Sequence, residues 1–99
     1  MTGANLQFFI CGQCFFMSSN MTRADLSHSA FEISSFSFVN LMGGNFHRSN
    51  IGLDVDFDNA NMRLATARNI HLENCQFSKT DLSEAIFDYE IIANSTFKQ

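Results

Sequence analysis

Residues 24–41 read Ala24-Asp25-Leu26-Ser27-His28-Ser29-Ala30-Phe31-Glu32-Ile33-Ser34-Ser35-Phe36-Ser37-Phe38-Val39-Asn40-Leu41. A large apolar residue falls at every fifth position, at Leu26, Phe31, Phe36 and Leu41. Two residues ahead of such a centre stands a small one, as at Ala24 and Ser34. An amphipathic helix would place apolar residues at i, i+3, i+4 and i+7, and this stretch does not. A short fixed period points instead to a repeat architecture.

The period extends outward in both directions. Toward the start the centres are Met21, Phe16, Cys11 and Leu6; toward the end they are Phe46 and Ile51. One extra residue then intervenes near Gly52-Leu53-Asp54. The series resumes with Phe57, Met62, Ala67, Leu72, Phe77, Leu82, Phe87, Ile92 and Phe97. Of these 19 centres, 17 are Phe, Leu, Ile or Met. The small position is held by Ala4, Cys14, Ser19, Gly44, Ala60, Ala65, Thr80 and Ala85, and is broken by Phe9, Ile70 and Glu90. Asn or Asp recurs between the two, as in Ala4-Asn5-Leu6, Ala60-Asn61-Met62 and Thr80-Asp81-Leu82.

Every fourth unit matches. One file reads Phe16, Phe36, Phe57, Phe77, Phe97; another reads Met21, Leu41, Met62, Leu82. The small residues Ala4, Ala24, Gly44, Ala65, Ala85 and the intervening Asn20, Asn40, Asn61, Asp81 are equally uniform. Each file keeps its identity across the extra residue, so the insertion reads as a one-residue bulge.

This pattern resembles the pentapeptide-repeat family, whose consensus is A(D/N)LXX, over residues 4–97. The resemblance implies an all-β fold, a right-handed square parallel β-helix. Each unit forms one side and four units form one coil, so the chain would make about five coils as a single domain over residues 1–99. Phe16, Phe36, Phe57, Phe77 and Phe97 are then the expected structural core. Coils stacked ~4.8 Å apart would give a rod of roughly 24 Å. Solenoids need caps at their termini. With no cap visible, the chain is expected either to stack end to end on another copy or to be one segment of a longer helix.

Composition narrows the function classes. The chain has 99 residues, no Pro or Trp, twelve Phe and a formal charge of −4. That balance opposes direct nucleic-acid binding, which calls for a basic patch. No apolar run approaches the ~20 residues of a membrane helix, and the start lacks the basic region of a signal peptide. Three cysteines, an odd number, do not suggest a disulfide framework, and a reducing compartment, the cytoplasm, is the simple reading. A secreted effector is the alternative.

Residues that could carry chemistry fall into the repeat frame. Cys11-Gly12-Gln13-Cys14 is a CxxC, open to a redox or metal reading. Both cysteines also fall at inward positions, where they would fill the core. The family frame places Cys75 in the Cys14 file, about 14 Å away by coil spacing. Asp54-Val55-Asp56-Phe57-Asp58-Asn59 starts like a calcium loop but lacks the Gly and Glu that such a loop needs. It reads as a solvated acidic ridge, with a weak cation site as the alternative. His28, His47 and His71 fall outward, and His28, His47, Arg48 and Arg68 share one wall. They make a surface patch in which an anion contact is open. No catalytic residue, cofactor or metal site is expected.

Outward apolar residues are the expected interaction surface: Phe8, Ile10, Phe15 and Met17 in the first coil, with Ile33, Phe38 and Met42 in the second. Large exposed apolar patches mark interfaces. Phe9 at a small position suggests a distorted first coil. Ile86, Tyr89, Glu90 and Ile91 break the pattern near the other end, and Glu90 turned inward would be a costly buried charge. The expected function is a non-catalytic protein–protein interaction or structural module with an unknown protein partner, including self-association through the open ends. The resemblance also implies an alternative. Some family members imitate B-DNA, bind type II topoisomerases and protect DNA gyrase from quinolones. A second alternative is a scaffold segment of a bacterial effector.

Overall fold

The repeat acts first on the backbone. The residue two after each centre has positive φ in nearly every unit: 60° at Arg23 and His28, 59° at Phe38, 62° at Asn59 and 61° at Leu64. The next amide returns to the centre's carbonyl, as from Ala24 to Met21 at 3.0 Å and from Ala65 to Met62 at 3.1 Å. A positive φ at the third residue with this hydrogen bond marks a type II turn. One turn per five residues bends the chain into a square.

The polar residue before each centre sets up the turn. Asn20, Asn40, Asn45 and Asn61 each accept, on Oδ1, the N–H two residues on, at 3.1, 3.1, 2.9 and 3.0 Å. Asp25, Asp56 and Asp81 do the same for Ser27, Asp58 and Ser83. Asn and Asp side chains favour this local Asx geometry, which is the physical reason for the recurring Asn/Asp.

The structure is a computed structural model; it describes the backbone of residues 2–93 and 96–98 and the side chains of residues 2–88. One wall is a parallel sheet of β1 (Ile10–Cys11), β2 (Ala30–Glu32), β3 (Asn50–Gly52), β5 (Thr66–Glu73) and β7 (Ile86–Ala93), paired in the order β1-β2-β3-β5-β7. Another is the parallel sheet β4 (Val55–Asp56), β6 (Cys75–Ser78) and β8 (Thr96–Lys98). Single parallel bridges join the other walls, as in Asn20–Asn40–Asn61–Asp81 and Asn5–Asp25–Asn45–Thr66. The chain is thus an all-strand β-solenoid, with coils beginning at Ala4, Ala24, Gly44, Ala65 and Ala85.

The insertion is localised. Glu32 pairs with Gly52, twenty residues on, whereas Ser35 pairs with Asp56, twenty-one on. The Ile33 amide reaches the Leu53 carbonyl at 2.8 Å, twenty residues on, whereas the His28 amide reaches the His47 carbonyl nineteen on. The extra residue therefore lies at Leu53–Asp54, and both have positive φ, 55° and 69°.

The interior is filled by the expected files. Phe36, Phe57 and Phe77 are buried, and Phe16 is half-buried against them. Their rings stack at centroid distances of 5.1, 5.0 and 5.0 Å, with interplanar angles of 16°, 5° and 5°. Such pairs add ~0.5–1.5 kcal/mol each beyond burial. The Phe97 backbone pairs with Phe77; its side chain, like those of Tyr89, Glu90, Ile91 and Ile92, lies outside the described residues.

Two departures from the repeat compensate each other. Ala67 is small where a large centre is usual, and Ile70 is large where a small residue is usual. Both are buried, so the coil keeps its core volume. Buried hydroxyls turn back to the chain: Ser49 donates to the Phe46 carbonyl and Thr80 to the Phe57 carbonyl, each at 2.7 Å. Among the described residues no buried side-chain polar atom lacks a partner.

The proportions differ from the expected rod. The principal extents are 30, 28 and 24 Å, so the solenoid is a block about as wide as it is tall. Register also shifts near the end: Tyr89, not Glu90, pairs with Ile70, and Ile91 pairs with His71. The Glu90 backbone is thereby left out of the ladder position that the repeat had assigned to it.

Candidate functional site

The outward apolar residues come from positions the repeat leaves unconstrained. Phe8, Ile10, Phe15, Met17 and Phe38 are between 58% and 81% exposed. All but Ile10 stand in files that are polar elsewhere. Ile10 is followed by Ala30, Asn50 and His71, and Phe15 by Ser35, Asp56 and Gln76. Residues ten apart lie half a coil from each other. Phe15, Met17 and Phe38 therefore gather about one corner over two coils, and Phe8 occupies the opposite corner with Ile10 on the wall beyond it. The five do not form one flat patch. Ile33 is exposed as expected, whereas Met42 is half-buried. Phe9, exposed at its inward-file position, packs toward Phe31 at 6.0 Å, and Ile86 is exposed.

His28, His47, Arg48, Arg68 and Asn69 line an open groove of about 380 Å³ on one wall. Coil pairing brings them together: the His28 amide donates to the His47 carbonyl and the Arg48 amide to the Arg68 carbonyl, at 2.9 and 2.7 Å. The Phe8 ring stacks on His28 at 4.8 Å and 14°. The Arg68 amide donates to His47 Nδ1 at 2.9 Å. His71 stands on the neighbouring sheet wall, 3.5 Å from Glu73. The column arithmetic of the sequence found this wall; Asn69 was missed because it carries no charge.

The CxxC is not a pair of core thiols. Cys11 and Cys14 form a disulfide, with Cα atoms 6.0 Å apart. That distance suits a bridge, and a corner of the coil brings two inward positions together. Gln13 lacks the positive φ that marks the other corners, so a covalent link stands where a turn is expected. Cys75 is buried in the same file as Cys14, its thiol 3.3 Å from the Ile51 carbonyl.

The acidic ridge is committed to its own backbone. Asp56 accepts the Asp58 amide, and Asp58 accepts the Ser78 amide, each at 2.7 Å. Burial raises the Asp56 carboxyl above the ordinary carboxylate value; the Asp58 amide opposes this, and the Asp58 charge adds to it. At Asp25 burial acts the same way but is outweighed by the Ser27 hydroxyl and amide, Gln7 and the His47 ring, and the net shift is downward. Among the described residues no three His, Cys, Asp or Glu side chains are grouped to hold a metal. No helix of the described residues is long and apolar enough to cross a membrane.

A family model of pentapeptide repeats matches eight copies, over residues 1–37, 19–51 and 54–88. No curated protein matches the chain. Among solved structures, it is similar to the pentapeptide repeat protein Rfr23 of the cyanobacterium Cyanothece 51142, with 18% identity over 97% of this chain and 89% of that one and a TM-score of 0.46. It is also similar to HetL of Nostoc sp. strain PCC 7120, a pentapeptide repeat protein involved in heterocyst differentiation regulation, with 20% identity, 94% and 52% coverage and a TM-score of 0.47. QnrB1, a plasmid-mediated fluoroquinolone resistance protein, matches with 15% identity, 87% and 53% coverage and a TM-score of 0.31. The chain spans about half the length of the HetL and QnrB1 chains. Repeat, turn chemistry, fourfold files and the family match converge: the chain belongs to the pentapeptide repeat family.

Proposed function

We propose that this chain is a non-catalytic interaction module that binds another protein through the corner of Phe15, Met17 and Phe38. The observation that carries it is local. These three large apolar side chains are exposed where later coils place Asp56, Asp58 and Asn59. Folding gains nothing from apolar residues at these outward positions, and a protein partner that buries them would. Phe8 and Ile10 offer a second contact on the opposite side, so one molecule could bridge two partners or a second copy.

The test is a double substitution, Phe15→Ser with Phe38→Ser. Both residues face solvent, so the fold should persist by circular dichroism. Wild type should show concentration-dependent light scattering, or retain a protein partner, that the double variant loses. A wild type that stays monomeric and retains nothing the variant fails to retain would count decisively against the module.

The second reading is a DNA mimic acting on a type II topoisomerase such as DNA gyrase. The net charge of −4 favours it. The block-like extents and the basic wall at Arg48 and Arg68 weigh against it. A supercoiling assay showing neither inhibition nor quinolone protection would remove it. The Cys11–Cys14 bridge favours an oxidising compartment, and with it the secreted alternative, over the cytoplasm.

A further inference from the structure

We propose that the groove lined by His28, His47, Arg48, Arg68 and Asn69 is a binding site for a small phosphate-bearing anion. The groove gathers two guanidinium groups, two imidazoles and a side-chain amide across adjacent coils of a chain whose formal charge is −4. That concentration runs against the overall balance of charge. Among the described residues, ion pairs join Arg63 to Glu84 and His71 to Glu73, and neither involves the groove. Asp88 pairs with Arg68 through the backbone on the next coil, yet it makes no ion pair with it. The two guanidinium groups are thus available to a ligand, with planar donors that match phosphate oxygens.

The imidazoles are prepared for the same task. Because His47 Nδ1 accepts the Arg68 amide, its proton sits on Nε2, which leaves a donor for an anion. Phe8 stacked on His28 fixes that ring against the wall. Asn69 and Arg48 sit at corner residues with φ of 58° and 56°, and Asn69 adds an amide donor. His47 also acts on the Asp25 carboxylate, so it is the two guanidinium groups, which no carboxylate pairs among the described residues, that select an oxyanion and favour the more highly charged phosphate.

The test is a titration of the whole chain with inorganic phosphate at constant ionic strength, followed by nuclear magnetic resonance. Saturable shifts are expected at the His28 and His47 rings and the Arg48 and Arg68 side chains. Arg48→Gln and Arg68→Gln should each weaken binding about tenfold, the loss of one charge-assisted contact. Arg63→Gln, away from the groove, should leave affinity unchanged, and the amide spectra of all variants report whether the coil is intact. Pyrophosphate should bind more tightly than phosphate if the ligand carries more than one phosphoryl group, and equally if it carries one. Shifts that never saturate, that appear equally at Arg63 and Lys79, or that survive in the Arg48→Gln, Arg68→Gln double variant would overturn the site. This outcome is independent of the apolar corner, which the phosphate titration does not touch.

Discussion

A single side chain in this solenoid answers to two demands, the turn it starts and the solvent it loses. Asp56 shows the conflict. Its carboxylate accepts the Asp58 amide at 2.7 Å, and burial nonetheless raises its pKa. A raised carboxyl binds its proton more tightly in the folded state than in the unfolded one. Folding is therefore favoured below the unfolded value of about 3.9, and that advantage is lost as pH rises through the folded value. Asp56→Asn keeps an oxygen for the Asp58 amide and removes the charge. The variant should melt a few degrees higher than wild type at pH 7, and the gap should close near pH 3. Melting curves across that range check it, and a variant less stable at pH 7 would show that the charge serves the turn. Asp25 has the opposite sign. Its lowered pKa means that its contribution is present at neutral pH and fades as pH falls through the folded value.

At the scale of one unit, the turn and the inward file were legible because both repeat. An inward residue meets the same neighbours in every coil, so Phe36 and Phe57 carry one message twice. Outward residues meet solvent and need not repeat, which is why the wall of Arg48 and Arg68 emerged only from column arithmetic. The Cys11–Cys14 bridge was not legible. Inward positions explained both cysteines separately, and only the folded corner brings its two sides to 6.0 Å. The register shift at Tyr89 was hidden too, since a misplaced Glu90 has several possible escapes and sequence does not choose among them. The bulge, by contrast, gives a sharp prediction. Asp54 lies between pairings spaced twenty and twenty-one residues apart, and left-handed backbone at a non-glycine residue costs about 1–2 kcal/mol. Deleting Asp54 restores an unbroken period of five. The deletion should fold and melt within a few degrees of wild type. Deleting Asn61 instead should shift every later file by one and abolish cooperative unfolding, as followed by circular dichroism.

Across the whole molecule, each coil touches only the coils beside it, so stability is close to a sum of interface terms. The aromatic file makes those terms unequal. Phe57 stacks on Phe36 and on Phe77, both at 5.0 Å, whereas Phe16 is half-buried and meets Phe36 on one side and the edge of Phe31. Removing a buried Phe side chain costs ~3–5 kcal/mol, a large share of the ~5–15 kcal/mol that holds a typical domain. Phe57→Ala should therefore cost several-fold more than Phe16→Ala. It should also do more than lower the midpoint. A cavity in the third coil weakens the link between the coils before and after it, so the two parts begin to unfold separately. In urea the Phe57→Ala transition should be broader, with a smaller apparent m-value, because each step exposes less surface. Phe16→Ala should lower the midpoint slightly and leave the slope unchanged. Equal slopes for both variants would mean that the solenoid unfolds as one unit whatever the site of damage, and the nearest-neighbour account of its stability would fail.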